Sequence, residues 1–220
     1  MIQVFLVDDH PIVRRGFAQL LAAEPDIAMC GEAADARAAL DALATLVPDV
    51  IIVDVSLGST SGIDLIHDIK QRQPRAVVLV VSMHDELLYA ERSLRAGAAG
   101  YVMKHEATDV IMRAIRTVAT GEIFVSSAVS LRLLQSWSTN GPPRGSSPLD
   151  VLSDRELHVL ELMGRGFGTR AIAEALHISV KTVESYRARL KEKINLRSGT
   201  ELVRFAIRWA AEDHKRDASS

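Results

Sequence analysis

Three carboxylates, a hydroxyl and an amine stand at the ends of short apolar runs along the first half of the chain. Asp8 and Asp9 follow the run 2–7, Asp54 follows 50–53, Ser82 follows 76–81 and Lys104 follows 100–103. Clustered carboxylates suit a hard divalent cation such as Mg²⁺, which prefers oxygen ligands and often bridges to a phosphate. An Asp carboxylate is also a nucleophile that can form an aspartyl-phosphate. A cation beside it would polarise the incoming phosphoryl group. Lys104 would meet a phosphoryl oxygen as a point charge, and the Ser82 hydroxyl could donate to another. Taken singly, each residue has a plainer explanation: a strand-end Asp caps the next turn, and a lone Lys is a solvated surface group. Asp54 is the least ordinary, because it closes the β-branched run Val50-Ile51-Ile52-Val53, and burying an unpaired charge is costly. His10 is set aside as a metal ligand, since no second His or Cys is suitably spaced.

The elements around these residues explain how they could meet. Apolar runs at 2–7, 27–33, 50–53, 76–81 and 100–103 alternate with stretches of helical spacing. Those stretches open at Pro11, cover 34–46, carry Ile63, Ile66 and Ile69, run from Asp85 to Arg95 with Gly97 beyond, and span about 108–120. Five strand–helix units in about 120 residues predict a five-stranded doubly wound parallel sheet. A continuous apolar run such as 50–53 suits a central strand buried on both faces. The strand ends, and with them the acids, Ser82 and Lys104, then share the sheet edge where open α/β folds bind ligands.

Composition divides the chain in two. Residues 1–136 carry 12 Lys+Arg against 17 Asp+Glu, and residues 137–220 carry 14 against 11, so the halves stand at −5 and +3. Such asymmetry suggests different jobs, although +3 alone is too weak to establish nucleic-acid binding. The single Cys30 makes no intramolecular disulfide, which fits a reducing cytoplasm. The start of the chain reads as no signal peptide, and no apolar run is long enough to span a membrane. A short helix is expected at 126–137. The stretch 138–148, almost all Gly, Pro, Ser, Thr and Asn, reads as a linker.

Beyond it, Ser153 and Glu156 form a capping-box pattern before Leu157, Leu160 and Leu162. A short helix at 170–176, a turn at His177-Ile178 and a helix at 180–194 capped by Ser179 read as a helix-turn-helix. The last helix, about 199–211, presents Leu202, Phe205, Ala206 and Trp209 as its apolar stripe. The second helix of the pair would enter a major groove. Ala188 leaves room for close approach, Glu184 or Ser185 would meet base edges, and Lys181, Arg187, Arg189 and Lys191 would position through phosphates. A helical partner-binding domain with a solvated charged face explains the charge pattern equally well.

The combined motifs settle the family resemblance. Val7-Asp8-Asp9-His10, Ile52-Val53-Asp54-Val55, Val81-Ser82 and Gly97-Ala98-Ala99-Gly100-Tyr101-Val102-Met103-Lys104 resemble the receiver domain of two-component response regulators. Leu152-Ser153-Asp154-Arg155-Glu156, Ile172-Ala173 and the run 179–190 resemble the LuxR-type domain of the NarL/FixJ family. The resemblance implies an α/β receiver at 1–121, a connecting helix and flexible linker at 122–148, and an all-α helix-turn-helix domain at 149–214. It implies that a sensor histidine kinase phosphorylates Asp54, with Asp8, Asp9, Asp54 and the Ser56 carbonyl around Mg²⁺. Ser82 and Tyr101 would be coupled switch residues and Lys104 would sense the phosphoryl group. The phosphorylated protein would bind double-stranded DNA as a homodimer on repeated half-sites, through Arg170, Ser179, Lys181, Thr182, Glu184, Ser185, Arg187, Ala188, Arg189 and Lys191.

The sequence departs from the family pattern in places. Leu57-Gly58 stands where a Met-Pro pair is usual, and glycine's freedom predicts a looser connection. Ser59-Thr60-Ser61 lacks an acid often found there. Ala171 replaces a common Glu, and Gly199 replaces a larger, often basic residue. Two other classes stay in view: a phosphatase or phosphotransferase using the same acids, and a DNA binder or adaptor independent of phosphorylation. The first leaves the second half of the chain unexplained, so the sequence is read as a regulator and not as an enzyme.

Overall fold

The computed structural model describes residues 1–58, 60–138, 149 and 151–217. Its chain divides into two compact units, Met1–Asn140 and Gly141–Ser220. Most of the predicted linker, 139–148, lies outside the described residues.

In the first unit the elements run β1 (Ile2–Val7), α1 (Pro11–Ala22), β2 (Ile27–Ala33), α2 (Ala36–Leu43) and β3 (Val50–Val53). They continue with β4 (Ser56–Leu57), β5 (Thr60–Ser61), α3 (Gly62–Arg72), β6 (Val78–Ser82), α4 (Glu86–Ala96), β7 (Gly100–Met103), α5 (Thr108–Ala119) and α6 (Ser127–Ser138). The main sheet has the order β2-β1-β3-β6-β7, and every pairing in it is parallel. Because side chains alternate along a strand, each strand serves two cores. Val4, Leu6, Val50, Ile52, Leu79 and Val81 pack with Phe17 and Leu21 of α1 and Ile111, Ile115 and Val118 of α5. The alternate residues Phe5, Val7, Ile51, Val53, Val78 and Val80 are buried as well. Covering both faces is what a parallel sheet demands, and it explains why the strands read as unbroken apolar runs.

Local signals set the helix ends. Pro11 opens α1. The Asp35 and Asp85 carboxylates accept from the backbone N–H groups of Ala38 and Leu87, and Gly97 closes α4 at a left-handed φ of 107°. The helix expected over 34–46 is shorter, Ala36–Leu43: the Asp35 cap sets its start and Ala44 its end. A two-residue hairpin, Ser56–Leu57 against Thr60–Ser61, was not anticipated from the sequence.

The second unit is helical: α7 (Asp154–Gly164), α8 (Thr169–Ala175), α9 (Val180–Lys193) and α10 (Gly199–Asp217). The capping box at Ser153 and Glu156 is formed. Val159, Leu160, Ile172, Val183, Leu190, Leu202 and Ala206 are buried. Phe205 and Trp209, expected in the α10 stripe, are half-buried. The α8–α9 turn takes His177 through a positive φ of 52°. Among the described residues, no helix is long and apolar enough to cross a membrane.

Candidate functional site

Parallel pairing of β1, β3, β6 and β7 brings their carboxyl ends to one edge. There the Lys104 ammonium donates to Asp8 Oδ2 at 2.6 Å and to Asp54 Oδ2 at 2.7 Å. The three groups are 96 and 50 residues apart in sequence, so sheet topology alone assembles them. Asp54 and Asp8 are almost fully buried, at 4% and 1% exposure. Asp8 Oδ1 accepts from the backbone N–H of His10, which fixes the turn into α1.

The backbone around Asp54 is equally constrained. Its N–H donates to Val7 O, and Gly62, at the start of α3, donates to Val55 O at 2.7 Å. A Cβ on Gly62 would lie 1.9 Å from the Asp54 carbonyl oxygen. Only glycine permits this approach, and it is what lets the hairpin fold back beside Asp54.

Ser82 is fully buried; its hydroxyl accepts from His84 N–H at 3.3 Å, and its carbonyl accepts from Lys104 N–H at 2.7 Å. Tyr101 lies inward, its hydroxyl donating to the His84 carbonyl at 2.7 Å. His84 Nε2 lies 2.8 Å from Ser56 Oγ, linking the connection after β3 to the one after β6. Sequence reasoning missed His84. The signal available was its position two residues beyond Ser82, on the loop leaving the functional edge. His10, set aside as a ligand, places a ring nitrogen with Asp8, Asp9 and Asp54 such that the four ligand atoms lie within 4.8 Å of one another. Its side chain is more than half exposed.

Electrostatics single out the same group. Burial pushes the Asp54 carboxyl above the usual aspartate range, and the pull of Lys104 does not fully offset it. Burial works against the Lys104 ammonium, but Asp54 and Asp8 outweigh it and raise that lysine above its ordinary value. Asp54 Oδ1 is buried and makes no hydrogen bond, and Asp9 Oδ1, also buried, has the His10 ring nitrogen 2.7 Å away. A carboxylate oxygen left without a donor at this depth is costly. An oxygen-seeking divalent cation fits the cluster, and the three acids supply the hard donors it prefers.

The helical unit places its predicted residues differently. Lys181, Glu184, Ser185, Ala188 and Arg189 are exposed on α9, and Arg170 is exposed on α8. Arg187 is half-buried, with its guanidinium donating to the Thr169 hydroxyl, and Lys191 is half-buried too. The Ser179 hydroxyl caps α9, accepting from Thr182 N–H at 3.0 Å and lying 2.7 Å from Thr182 Oγ1. Ser185 donates to the Lys181 carbonyl at 3.0 Å. Thr169, Glu184, Arg187, Ala188, Lys191, Gly199 and Leu202 line a recess of about 330 Å³. A Cβ on Gly199 would meet nothing within 4 Å, so the departure at this position leaves open space.

A doubly wound sheet with buried acids at its carboxyl edge, followed by a helix-turn-helix unit, defines a class of two-part signalling proteins. The response regulator receiver domain family matches residues 4–116, and the luxR family of bacterial regulatory proteins matches residues 150–206. Oxygen regulatory protein NreC of Staphylococcus epidermidis is 34% identical over 94% of this chain and 97% of its own. Transcriptional regulatory protein DegU of Brevibacillus brevis is 32% identical over 94% of this chain and 93% of its own. RcsB of Salmonella enterica serovar Typhimurium, solved bound to a promoter in the presence of phosphomimetic BeF₃⁻, is 28% identical with a TM-score of 0.56, over 93% of this chain and 97% of that one. This chain belongs to the two-component response regulators of the NarL/FixJ type.

Proposed function

We propose that Asp54 accepts a phosphoryl group from a sensor histidine kinase and that phosphorylation controls DNA binding by the helix-turn-helix unit. The observation that carries this reading is the Lys104 bridge. Its ammonium holds one oxygen each of Asp8 and Asp54, while Asp54 Oδ1 stays buried without a donor. In this reading an Asp54 oxygen forms the bond to phosphorus as the donor's bond breaks. Lys104 turns to a phosphoryl oxygen and the Ser82 hydroxyl donates to another. Asp8, Asp9, Asp54 and the Ser56 carbonyl would hold Mg²⁺, which when bound supplies positive charge against the carboxylates and the phosphoryl oxygens. Movement of Ser82 toward the phosphoryl group, with Tyr101 as its partner, would carry the change to α4 and α5.

Residues 1–121 receive the signal in this reading, 122–148 connect, and 149–214 bind double-stranded DNA, in the cytoplasm. Helix α9 enters the major groove, with Glu184, Ser185 and Ala188 toward base edges. Arg170, Lys181, Arg187, Arg189 and Lys191 neutralise phosphates, while Ser179 and Thr182 hold the start of α9. Two phosphorylated copies bind repeated half-sites as a dimer.

A gel-shift series on promoter fragments tests the whole reading. Wild type and Asp54→Asn are compared with and without a small phosphodonor plus Mg²⁺. The phosphodonor should tighten wild-type binding and leave the variant unchanged. Equal binding in every lane would reject the switch. No binding while Asp54 takes up phosphate would mean that the helical unit reads a protein instead.

A further inference from the structure

The peptide that joins Asp8 to Asp9 lies just past the end of β1, where the chain leaves the sheet. Asp8 N–H donates to Ala33 O and Asp54 N–H donates to Val7 O, which closes the ladders on either side of β1. The Asp8 carbonyl is met from outside the sheet. Arg14, near the start of α1, reaches back six residues, and its Nη1 donates to that oxygen at 2.7 Å. Its Nε donates to Glu32 Oε1 on β2 at 3.2 Å. The Arg14 side chain is 14% exposed and that of Glu32 47%. An ion pair this open is worth little in itself. It does orient the planar guanidinium, so that a charged donor faces the Asp8 carbonyl.

We propose that Arg14 is a positioning residue for divalent-cation binding: through the Asp8 carbonyl it fixes the peptide that sets Asp8 and Asp9 side by side. The inference rests on the reading of the acid edge as a cation site. The two carboxylates have partners of their own. Asp8 is held by His10 N–H and by the Lys104 ammonium. Asp9 Oδ2 accepts from Gly58 N–H at 2.8 Å, and the His10 ring nitrogen lies 2.7 Å from Asp9 Oδ1. Contacts on the carboxylate oxygens must adjust when a cation takes those oxygens. Arg14 acts behind them, on the backbone, and its bond can stay in place throughout. An outer partner of this kind keeps the ligands oriented while the contacts between them exchange.

Mg²⁺ titration of the full chain by calorimetry, with circular dichroism to verify folding, tests the tether. The rate of phosphoryl uptake from a small phosphodonor is followed alongside as Mg²⁺ is varied. Arg14→Ala should weaken Mg²⁺ binding by roughly 10-fold, the low end for loss of an outer partner. The half-saturating Mg²⁺ for uptake should rise by the same factor, while the maximal rate falls by less than about threefold. Arg14→Lys keeps the charge and can donate to the carbonyl, so it should recover part of the affinity. Arg14→Ala binding Mg²⁺ as tightly as wild type overturns the proposal. So does a maximal rate that falls with half-saturation unchanged, or Arg14→Lys binding as weakly as Arg14→Ala. Should Arg14→Ala fail to fold, Glu32→Ala carries the test, because Glu32 is half-exposed. Without that carboxylate Arg14 should hold the carbonyl less well, and Mg²⁺ affinity should drop about 2–5-fold, the worth of an exposed ion pair. Unchanged affinity there overturns the proposal equally. Absence of Mg²⁺ binding by the wild type removes the cation site itself. Binding that ignores Arg14→Ala removes only the role of Arg14.

Discussion

The acid edge and the outer face of α9 both gather charged side chains, but by different means. At the edge, the ends of three strands bring groups up to 96 residues apart within hydrogen-bond distance, under almost complete burial. On α9, one helix spaces Lys181, Glu184, Ser185, Ala188 and Arg189 along its own surface, open to water. Charges at the edge interact through a medium of low effective dielectric, so each contact matters and each unpaired oxygen costs. Charges on α9 are screened and, in the proposed function, would act together on a polyanion. The first arrangement suits one defined covalent event, and the second suits a salt-sensitive search. Perturbing the edge should therefore give large, local, all-or-none effects, and perturbing α9 small, graded ones.

The largest effect is expected at Asp54. Asp54→Asn should abolish phosphoryl uptake from a small phosphodonor, read as loss of the modified mass. It should also raise the melting temperature at pH 7. Burial raises the Asp54 carboxyl in the folded chain. The stability linked to that carboxyl is thus present below its unfolded pKa and lost as pH rises through the folded one. The wild type bears that loss at pH 7 and the amide does not, so the gap should close as pH falls toward about 4. A variant less stable than wild type at pH 7 would show that the Lys104 pairing outweighs the burial.

Lys104→Met comes next. It leaves Asp8 and Asp54 facing each other with no ammonium between them, and removing one partner of a buried ionic group costs about 3–5 kcal/mol. Urea unfolding should show the loss, and Mg²⁺ should return more stability to this variant than to wild type. If Mg²⁺ stabilises both equally, the acids do not share one cation site.

How legible each region was follows from how each is built. The strand at 50–53 and the acid after it could be read because burial on both faces leaves an unbroken apolar run. The meeting of Asp8, Asp54 and Lys104 then followed from strand order. The β4–β5 hairpin could not be read, because strands of two residues each are too short to show periodicity. Nor could the bond from Gly58 N–H to Asp9 Oδ2, since a backbone donor leaves no trace in residue types. On α9, Val183 and Leu190 recur at helical spacing and are buried, while Tyr186 and Arg187, at the margin of that face, are both half-buried. An amphipathic pattern fixes the centre of a helix face and leaves its margins open. His84 escaped because its partner, Ser56, belongs to a different connection.

A middle case sits behind α9. Glu156 closes the capping box, its side chain accepting from Ser153 N–H at 2.8 Å and from the Lys193 ammonium at 2.7 Å. Burial alone would raise this carboxyl, but Lys193 and the Ser153 N–H outweigh it and hold it below the usual glutamate range. A lowered pKa means stability present above the unfolded value and lost as pH falls through the folded one, so the unit should weaken below about pH 4.5. Lys193 is partly exposed, which limits its value. Lys193→Met should cost about 1 kcal/mol at pH 7 and flatten that acid-side slope in thermal melts. An unchanged slope would place the effect in the cap alone.

The smallest effect is expected on the outer face itself. Lys181 is exposed in the first turn of α9, so Lys181→Ala should leave stability within about 0.5 kcal/mol of wild type. Its loss should weaken binding about equally on operator and unrelated DNA, and lower the slope of log affinity against log salt by about 1. Glu184→Gln is the control from the same face, because a carboxylate accepting from a cytosine amine reads sequence and should change preference at one base pair with the salt slope nearly intact. A Lys181→Ala loss confined to the operator would make that lysine a base reader. The face of α9 would then share the precision of the acid edge, and the contrast between the two regions would narrow to burial alone.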